Sequence, residues 1–220
     1  MPIEPPPTPW QFPLPPDEAD DVIALGADLE PGTVLSAYRG GLFPMHLGRD
    51  LAWWSPEQRG VLRVGAMRVT RSLRQSARHF EIRVDTAFDE VIEGCADPRR
   101  DGAWITAGIR DAYRELHDLG WVHSVEAWRG GELAGGLYGV AIGGLFAGES
   151  MFSRQRDASK AALLGLTRLL DDEYADQRLI DTQWRTDHLA TLGVVEMPRA
   201  SYIAGLQALL RVPLPAVFAS

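Results

Sequence analysis

The chain has 220 residues, a formal net charge of −8 and a single cysteine, Cys95. This length suits one large domain, or one domain with a smaller lobe appended. One cysteine excludes an internal disulfide framework and is typical of a reducing compartment. The sequence has no apolar run of the roughly 20 residues that a membrane-spanning helix needs, and its beginning lacks the features of a secretion signal, so we expect a cytoplasmic protein. The acidic balance argues against nonspecific coating of nucleic acid.

The first 62 residues predict a small N-terminal lobe. The proline-rich start is predicted to be extended, and the acidic run at 17–21 to be solvated. Pro31 begins a predicted helix that ends at Gly40 and Gly41. Residues 42–45 are predicted to form a turn. We therefore expect a lobe without a regular sheet of its own.

Two adjacent tryptophans follow this lobe's turn. In an extended chain Trp53 and Trp54 face opposite ways. Either both pack between the two lobes, or one of them stacks on a base or another aromatic group. The sequence leaves both interpretations open.

A basic helix is predicted between Met67 and Glu81. Arg71, Arg74 and Arg78 fall within about 60° of one another around such a helix. A simple interpretation is a solvated helix face. The alternative is a local phosphate-binding surface on an otherwise acidic protein.

The central third of the chain predicts a meander of strands flanked by helices. The predicted elements are, in order, a strand at 80–84, a helix at 87–96, a loop at 97–102, a helix after the cap Thr106, a strand at 122–128, a hairpin turn at 129–132 and a strand at 133–142. Glycines inside the last strand, at positions 135, 136 and 139, indicate a bulge or a close approach of a ligand to the backbone. Cys95 is predicted to be a buried, inert thiol.

A strand at 145–152 is expected to carry a carboxylate among apolar side chains. Alternation places Glu149 on one face with Leu145 and Met151. Such a carboxylate needs a partner or a chemical role. Asp157 is predicted to cap the next helix, which is apolar almost all round and therefore buried.

The strand predicted at 179–184 carries two polar side chains, Asp181 and Gln183, on one face. They form either a structural hydrogen-bond network or a site facing Glu149. The whole pattern is α+β. The turn at 153–159 contains no glycine, so it cannot cradle a pyrophosphate with its backbone in the usual way, and neither a nucleotide-binding motif nor a metal-ligand spacing occurs. No cofactor and no metal are expected.

Five groups of sequence motifs carry a family resemblance. They are FPMH with WWSPEQRGVL, VIEGCADPRRDGAWIT, HSVEAW, GESMFSR with ASKAALL, and LIDTQWRTDHLATLG. Together they cover most of the chain from Phe12 to Leu206, and the sequence resembles the bacterial leucyl/phenylalanyl-tRNA–protein transferases. The resemblance implies a small N-terminal lobe at 1–62 and a domain at 63–220 with the fold of the N-acetyltransferases (GNAT).

The resemblance also implies the residues of the site. Asp181, Gln183 and Glu149 would be catalytic, and Arg71, Arg74 and Arg78 would bind tRNA. The implied substrate-binding residues are Trp53, Trp54, Trp104, Leu137, Phe146, Met151, Leu163, Leu166 and Ile180. For Trp104, Leu163 and Leu166, ordinary core packing is the alternative. Thr186 stands where the family often has asparagine, so no catalytic role is carried over to it.

The implied reaction moves leucine or phenylalanine, and less readily methionine, from aminoacyl-tRNA to the N-terminal Arg or Lys of an acceptor protein. The ester already carries the activation energy, so neither ATP nor a metal is required. The product would be marked for degradation by the N-end rule pathway, and the protein would be a monomer. Two other classes stay open: a non-catalytic adaptor for tRNA ends or protein N-termini, and a CoA-dependent N-acetyltransferase. Failure to bind acetyl-CoA would exclude the latter.

Overall fold

A computed structural model describes residues 1–16, 20–100 and 104–219. Residues 17–19 of the predicted acidic run and residues 101–102 of the predicted loop lie outside these ranges. The strands are β1 (Val22–Leu25), β2 (Phe43–Leu47), β3 (Asp50–Trp54), β4 (Gln58–Arg63), β5 (Glu81–Val84), β6 (Val122–Arg129), β7 (Glu132–Ile142), β8 (Leu145–Ser153), β9 (Leu179–Gln183) and β10 (Val195–Pro198). The helices are α1 (Pro31–Arg39), α2 (Arg71–Ala77), α3 (Phe88–Cys95), α4 (Ala107–Asp118), α5 (Ala158–Leu169), α6 (Asp187–Thr191) and α7 (Arg199–Leu209). None of the helices in these ranges is long and apolar enough to cross a lipid bilayer.

The N-terminal region contains a three-stranded antiparallel sheet in the order β1-β3-β2. The prediction of a lobe without its own sheet was therefore wrong. The segment expected to turn at 42–45 instead enters β2, where Pro44 lies opposite Trp53. Proline is tolerated there because β2 is an edge strand, which leaves one side without a hydrogen-bonded neighbour.

The second sheet has seven strands in the order β10-β4-β9-β8-β7-β6-β5. All neighbouring pairs are antiparallel except β8 and β9, which are parallel. Helices α1, α3 and α4 cover one face, and α2 and α5 cover the other. β4 spans the boundary expected at residue 62 and belongs wholly to this larger sheet. The mixed α+β class is confirmed.

The predicted hairpin between β6 and β7 is confirmed, and so are the buried Cys95 and the cap of α4 by Thr106. Other residues of the chain pack too closely against the glycines of β7 to leave space for a side chain. A Cβ at Gly139 would lie 2.5 Å from the ring of Phe146, and one at Gly135 would lie 2.7 Å from Cβ of Ala158. Close packing within the fold thus accounts for them without a ligand.

Two helix starts differ from the prediction. The basic helix begins only at Arg71, because the hydroxyl of Thr70 accepts a hydrogen bond from the Leu73 amide and so ends the preceding extended segment. Asp157 precedes α5 but makes no capping hydrogen bond, since its backbone is left-handed, with φ of 64°. The hydroxyl of Ser153 accepts a hydrogen bond from the Ser159 amide in its place.

Candidate active site

The candidate site lies where the two parallel strands separate. β8 and β9 pair from Leu145 with Leu179 as far as Ala147 with Asp181. Beyond that point the strands part, and a cavity of about 120 Å³ opens beside the gap. Its lining residues are Leu137, Phe146, Gly148, Glu149, Ser150, Met151, Leu163, Leu166, Ile180, Thr182, Gln183 and Leu189.

The structure brings together six of the nine predicted substrate-binding residues in the lining of this cavity. Leu137, Phe146, Met151 and Ile180 come from the sheet, and Leu163 and Leu166 come from α5. Five of the six are at most 4% exposed, and Met151 is half-buried. Such walls suit an apolar side chain.

A larger cavity, of about 320 Å³, lies at the other end of β9 between Arg63, Leu179 and α7. None of the predicted site residues lines this cavity, and no buried carboxylate lines it. The smaller cavity is the better candidate because Glu149 and Gln183 line it.

Glu149 is the extra residue of a β-bulge. Tyr138 pairs with Ser150, and Gly139 pairs with Gly148, so Glu149 has no partner across the strands. The expectation that Glu149 shares a face with Met151 was wrong, because one inserted residue reverses the alternation beyond the bulge. Met151 consequently lies on the same face as Phe146, in the pocket wall.

Three side chains bind the carboxylate of Glu149, a residue that is 8% exposed. Oε1 accepts hydrogen bonds from the Tyr38 hydroxyl at 2.6 Å and from Nε2 of Gln183 at 3.2 Å, and Oε2 lies 3.0 Å from the Tyr113 hydroxyl. Burial raises the pKa of Glu149 from 4.5 to about 7, whereas any hydrogen bond that a tyrosine donates to the ionised carboxylate acts in the opposite direction. Glu149 therefore titrates in the neutral range.

Asp181 does not line the cavity. It is fully buried, and it accepts hydrogen bonds from Arg59, from the Tyr202 hydroxyl at 2.9 Å and from the Gln183 amide at 2.9 Å. Burial by itself lowers the pKa of Arg59, but the charge and hydrogen bonds of Asp181, together with the nearby tyrosines, outweigh this and hold that pKa above its usual range. Asp181 thus fixes the backbone of Gln183, whose side chain faces Glu149.

Gln183 has a left-handed backbone with φ of 59°. For a residue other than glycine this conformation costs about 1–2 kcal/mol, and such outliers concentrate at functional sites. The neighbouring chain permits it only because residue 60 is glycine: a Cβ on Gly60 would lie 2.4 Å from the carbonyl carbon of Trp184.

Sequence reasoning missed four residues of this network: Tyr38, Arg59, Tyr113 and Tyr202. Arg59 pairs with a residue 122 positions away along the chain. The local sequence around Arg59 predicts an ordinary surface arginine. The local patterns around Tyr38 and Tyr113 predict residues on the apolar faces of helices. No local signal in the sequence distinguishes them.

The tryptophans lie outside the cavity lining. Trp53 is fully buried, contacts Phe12 and donates to the carbonyl of Gly26. Trp54 is half-buried and meets Trp184 edge-to-face at 5.8 Å. Trp104 is half-buried against the core under α3 and α4. Of the adjacent pair, only Trp54 therefore has exposed surface that a ligand could contact.

The three predicted tRNA-binding arginines are exposed on α2 and at its end. Leu73 anchors α2 in the core shared with α5, which forms a wall of the cavity. Arg71, Arg74 and Arg78 thus lie on the same side of the sheet as the cavity. Within the described ranges no group of three or more His, Cys, Asp or Glu side chains is arranged to hold a metal ion.

Comparison with known proteins identifies the family. Residues 61–207 match the family described as leucyl/phenylalanyl-tRNA protein transferase, and residues 27–57 match its N-terminal domain. Proteins named leucyl/phenylalanyl-tRNA–protein transferase are similar to this chain in Aromatoleum aromaticum (49% identity, 86% of this chain and 81% of the relative), Azoarcus sp. (50%, 86% and 82%) and Salmonella typhimurium (46%, 91% and 86%). The chain belongs to the leucyl/phenylalanyl-tRNA–protein transferase family.

Proposed function

We propose that this protein transfers leucine or phenylalanine from aminoacyl-tRNA to the N-terminus of an acceptor protein. The observation that carries the proposal is the apolar cavity that holds a carboxyl group and an amide, Glu149 and Gln183, in a chain of this family. The apolar walls accept the side chain of the donor aminoacyl group. Because an apolar pocket distinguishes a single methylene by only about 1–3 kcal/mol, some transfer of methionine is expected.

The chemical requirements fit the residues at the gap between β8 and β9. The attacking α-amine must be neutral, and its ordinary pKa is near 8, so it needs a group that orients it and receives its proton. Gln183 and Glu149 face each other at the cavity and supply these contacts. Asp181, held by Arg59 and Tyr202, fixes Gln183 in its strained conformation. Its role in the proposal is therefore to position Gln183.

The partners follow from the same proposal. Acceptor proteins begin with Arg or Lys, whose positive charge suits a protein of net charge −8. Arg71, Arg74 and Arg78 contact the phosphates of the tRNA, and Trp54 and Trp104 contact its aminoacyl end. The protein acts as a monomer in the cytoplasm, where its products enter the N-end rule pathway.

The architecture of the larger domain supports a relation to the N-acetyltransferases. It has a largely antiparallel sheet with one parallel central pair, and helix α5 follows the first strand of that pair. We propose a GNAT-like domain that begins with β4 at Gln58, and not at residue 63, and that follows a small N-terminal lobe. The turn that follows β8 has no glycine, which favours aminoacyl-tRNA over acetyl-CoA as the donor.

The decisive experiment mixes the purified protein with leucyl-tRNA and a peptide that begins with arginine, without ATP, and detects the product by mass spectrometry. We expect a peptide heavier by one leucine at its N-terminus. The same peptide with an acetylated N-terminus is the control and should stay unmodified. Absence of the adduct while tRNA still binds would replace the proposal with the adaptor function.

A further inference from the structure

Three oxygen-bearing side chains form a closed ring at the site. The hydroxyls of Tyr38 and Tyr113 lie 2.6 Å apart, and each also lies within hydrogen-bond distance of a different oxygen of Glu149, at 2.6 and 3.0 Å. All three contacts are buried. Each contact requires one hydrogen between its two oxygens.

The number of hydrogens depends on the charge of Glu149. Burial holds the pKa of Tyr38 and of Tyr113 well above their usual range, so each phenol keeps its single hydrogen. If the carboxylate is ionised, only the two phenol hydrogens are available for the three contacts. One pair of oxygens then lies in contact without a hydrogen between them. With a protonated carboxyl, three hydrogens serve three contacts: Glu149 donates to Tyr113, Tyr113 to Tyr38, and Tyr38 to Glu149.

The other groups around Glu149 act in both directions. The charge of Asp181 favours the neutral form of Glu149, and that of Arg59 opposes it, but these two are paired with each other. Tyr138 lies beside the ring, with its centroid 5.6 Å from that of Tyr113, and its surroundings include Cys95 and Arg100. The Tyr138 hydroxyl is buried and has no hydrogen-bond partner in the described part of the chain, so it supplies no fourth hydrogen to the ring.

We propose that Glu149 is protonated in the free protein and that its hydrogen closes the ring with Tyr38 and Tyr113. In the transfer reaction, on which this second step rests, Glu149 then acts first as an acid. The amine nitrogen bonds to the carbonyl carbon, the bond from that carbon to the ribose oxygen breaks, and the Glu149 proton goes to the departing oxygen. A proton from the nitrogen passes to the carboxylate and restores the ring, so protons balance over one turnover.

Infrared spectroscopy of the free protein across pH tests the protonation. We expect the C=O band of a protonated carboxyl that titrates near neutral pH and is missing in Glu149→Gln. Absence of such a band above pH 5 would overturn the proposal. Because no substrate is present, this result is independent of the transferase activity.

Tyr113→Phe gives a second test that does not require Glu149→Gln to fold. If Glu149 donates its hydrogen to Tyr113, removing this acceptor lowers the midpoint of the titration. A raised midpoint would show that Tyr113 donates to an ionised Glu149, which contradicts the ring. Tyr138→Phe is the matched control and should leave the midpoint unchanged, because its hydroxyl is outside the ring.

The acid role is tested by changing the leaving group. Glu149→Gln should reduce the rate of leucine transfer from leucyl-tRNA by at least about 100-fold. It should reduce the rate from a leucyl nitrophenyl ester much less, because that leaving group departs without a proton. The wild-type protein provides the reference for both donors. An equal loss with both donors would mean that Glu149 only positions the substrate.

Discussion

The guanidinium of Arg59 holds the Asp181 carboxylate in a two-pronged ion pair, with Nε 2.9 Å from Oδ1 and Nη2 2.6 Å from Oδ2. Both side chains are at most 1% exposed. The guanidinium also packs over the rings of Phe43 and Tyr202. This pair joins β4 to β9 behind the cavity and so fixes the strand that carries Gln183.

Replacing Arg59 should destabilise the protein strongly. Arg59→Met leaves Asp181 as a buried charge without its partner, which typically costs about 3–5 kcal/mol. Arg63→Met, at the exposed end of the same strand, is the control and should change the free energy of unfolding by less than about 0.5 kcal/mol. Urea denaturation of both variants measures the difference, and equal values would show that the buried pair contributes little.

Asp181→Asn should separate catalysis from tRNA binding. The loss of charge loosens the contact with Arg59 and shifts Gln183, and displacements of about 1 Å at a reacting centre cost about 100-fold in rate. The dissociation constant for tRNA should stay unchanged, because Asp181 is fully buried. Asp187→Asn, on the exposed start of α6, is the matched control. A single-turnover rate equal to that of the wild type would remove Asp181 from the positioning of Gln183.

The sequence correctly predicted those elements whose structure is determined by neighbouring residues. Alternation and turn residues predicted the β6–β7 hairpin, and Thr106 marked the start of α4. The family resemblance implied six apolar residues that line one cavity. Alternation failed at Glu149, where a single inserted residue changed the face on which Met151 lies.

The rest depended on contacts between distant segments. Pro44 reads as a turn residue, and only its pairing with Trp53 makes it part of a strand. The role of Arg59 depends on its ion pair with Asp181. The role of Tyr38 depends on its hydrogen bond to Glu149, 111 residues away. Such partners come together through the tertiary fold, which local propensity does not encode.

Removing the positive charges of α2 should weaken tRNA binding in a way that depends on salt. If Arg71, Arg74 and Arg78 each contact a phosphate, their joint replacement by Gln should raise the Michaelis constant for leucyl-tRNA. It should also reduce the slope of log affinity against log salt concentration by about 1 per lost contact. Arg168→Gln, an exposed arginine on α5, is the control. An unchanged slope in the triple variant would show that this helix face is merely solvated.

The stability of the protein should depend on pH through Glu149. Its pKa is 4.5 in the unfolded chain and about 7 in the folded protein, so the folded state binds the proton more tightly. This contribution is fully present below pH 4.5, declines as pH rises and is lost above about 7, with a total on the order of 3 kcal/mol. Glu149→Gln should flatten this part of the profile. Thermal unfolding of both proteins between pH 4.5 and 8 measures it, and parallel profiles would exclude Glu149 as the titrating group.

Enlarging the cavity should change which amino acid is transferred. Leu163 is 4% exposed and forms part of the wall that α5 contributes. Leu163→Ala should raise the ratio of kcat/KM for phenylalanyl-tRNA over leucyl-tRNA by about 10-fold or more, because each methylene in such a pocket is worth about 1–3 kcal/mol. The substitution also costs about 2–5 kcal/mol of stability, as any buried leucine does. Leu164→Ala is therefore the matched control: Leu164 is 6% exposed on the same helix but does not line the cavity. If both variants shift the ratio equally, the change reflects general loosening of α5, and the side chain of the donor lies elsewhere.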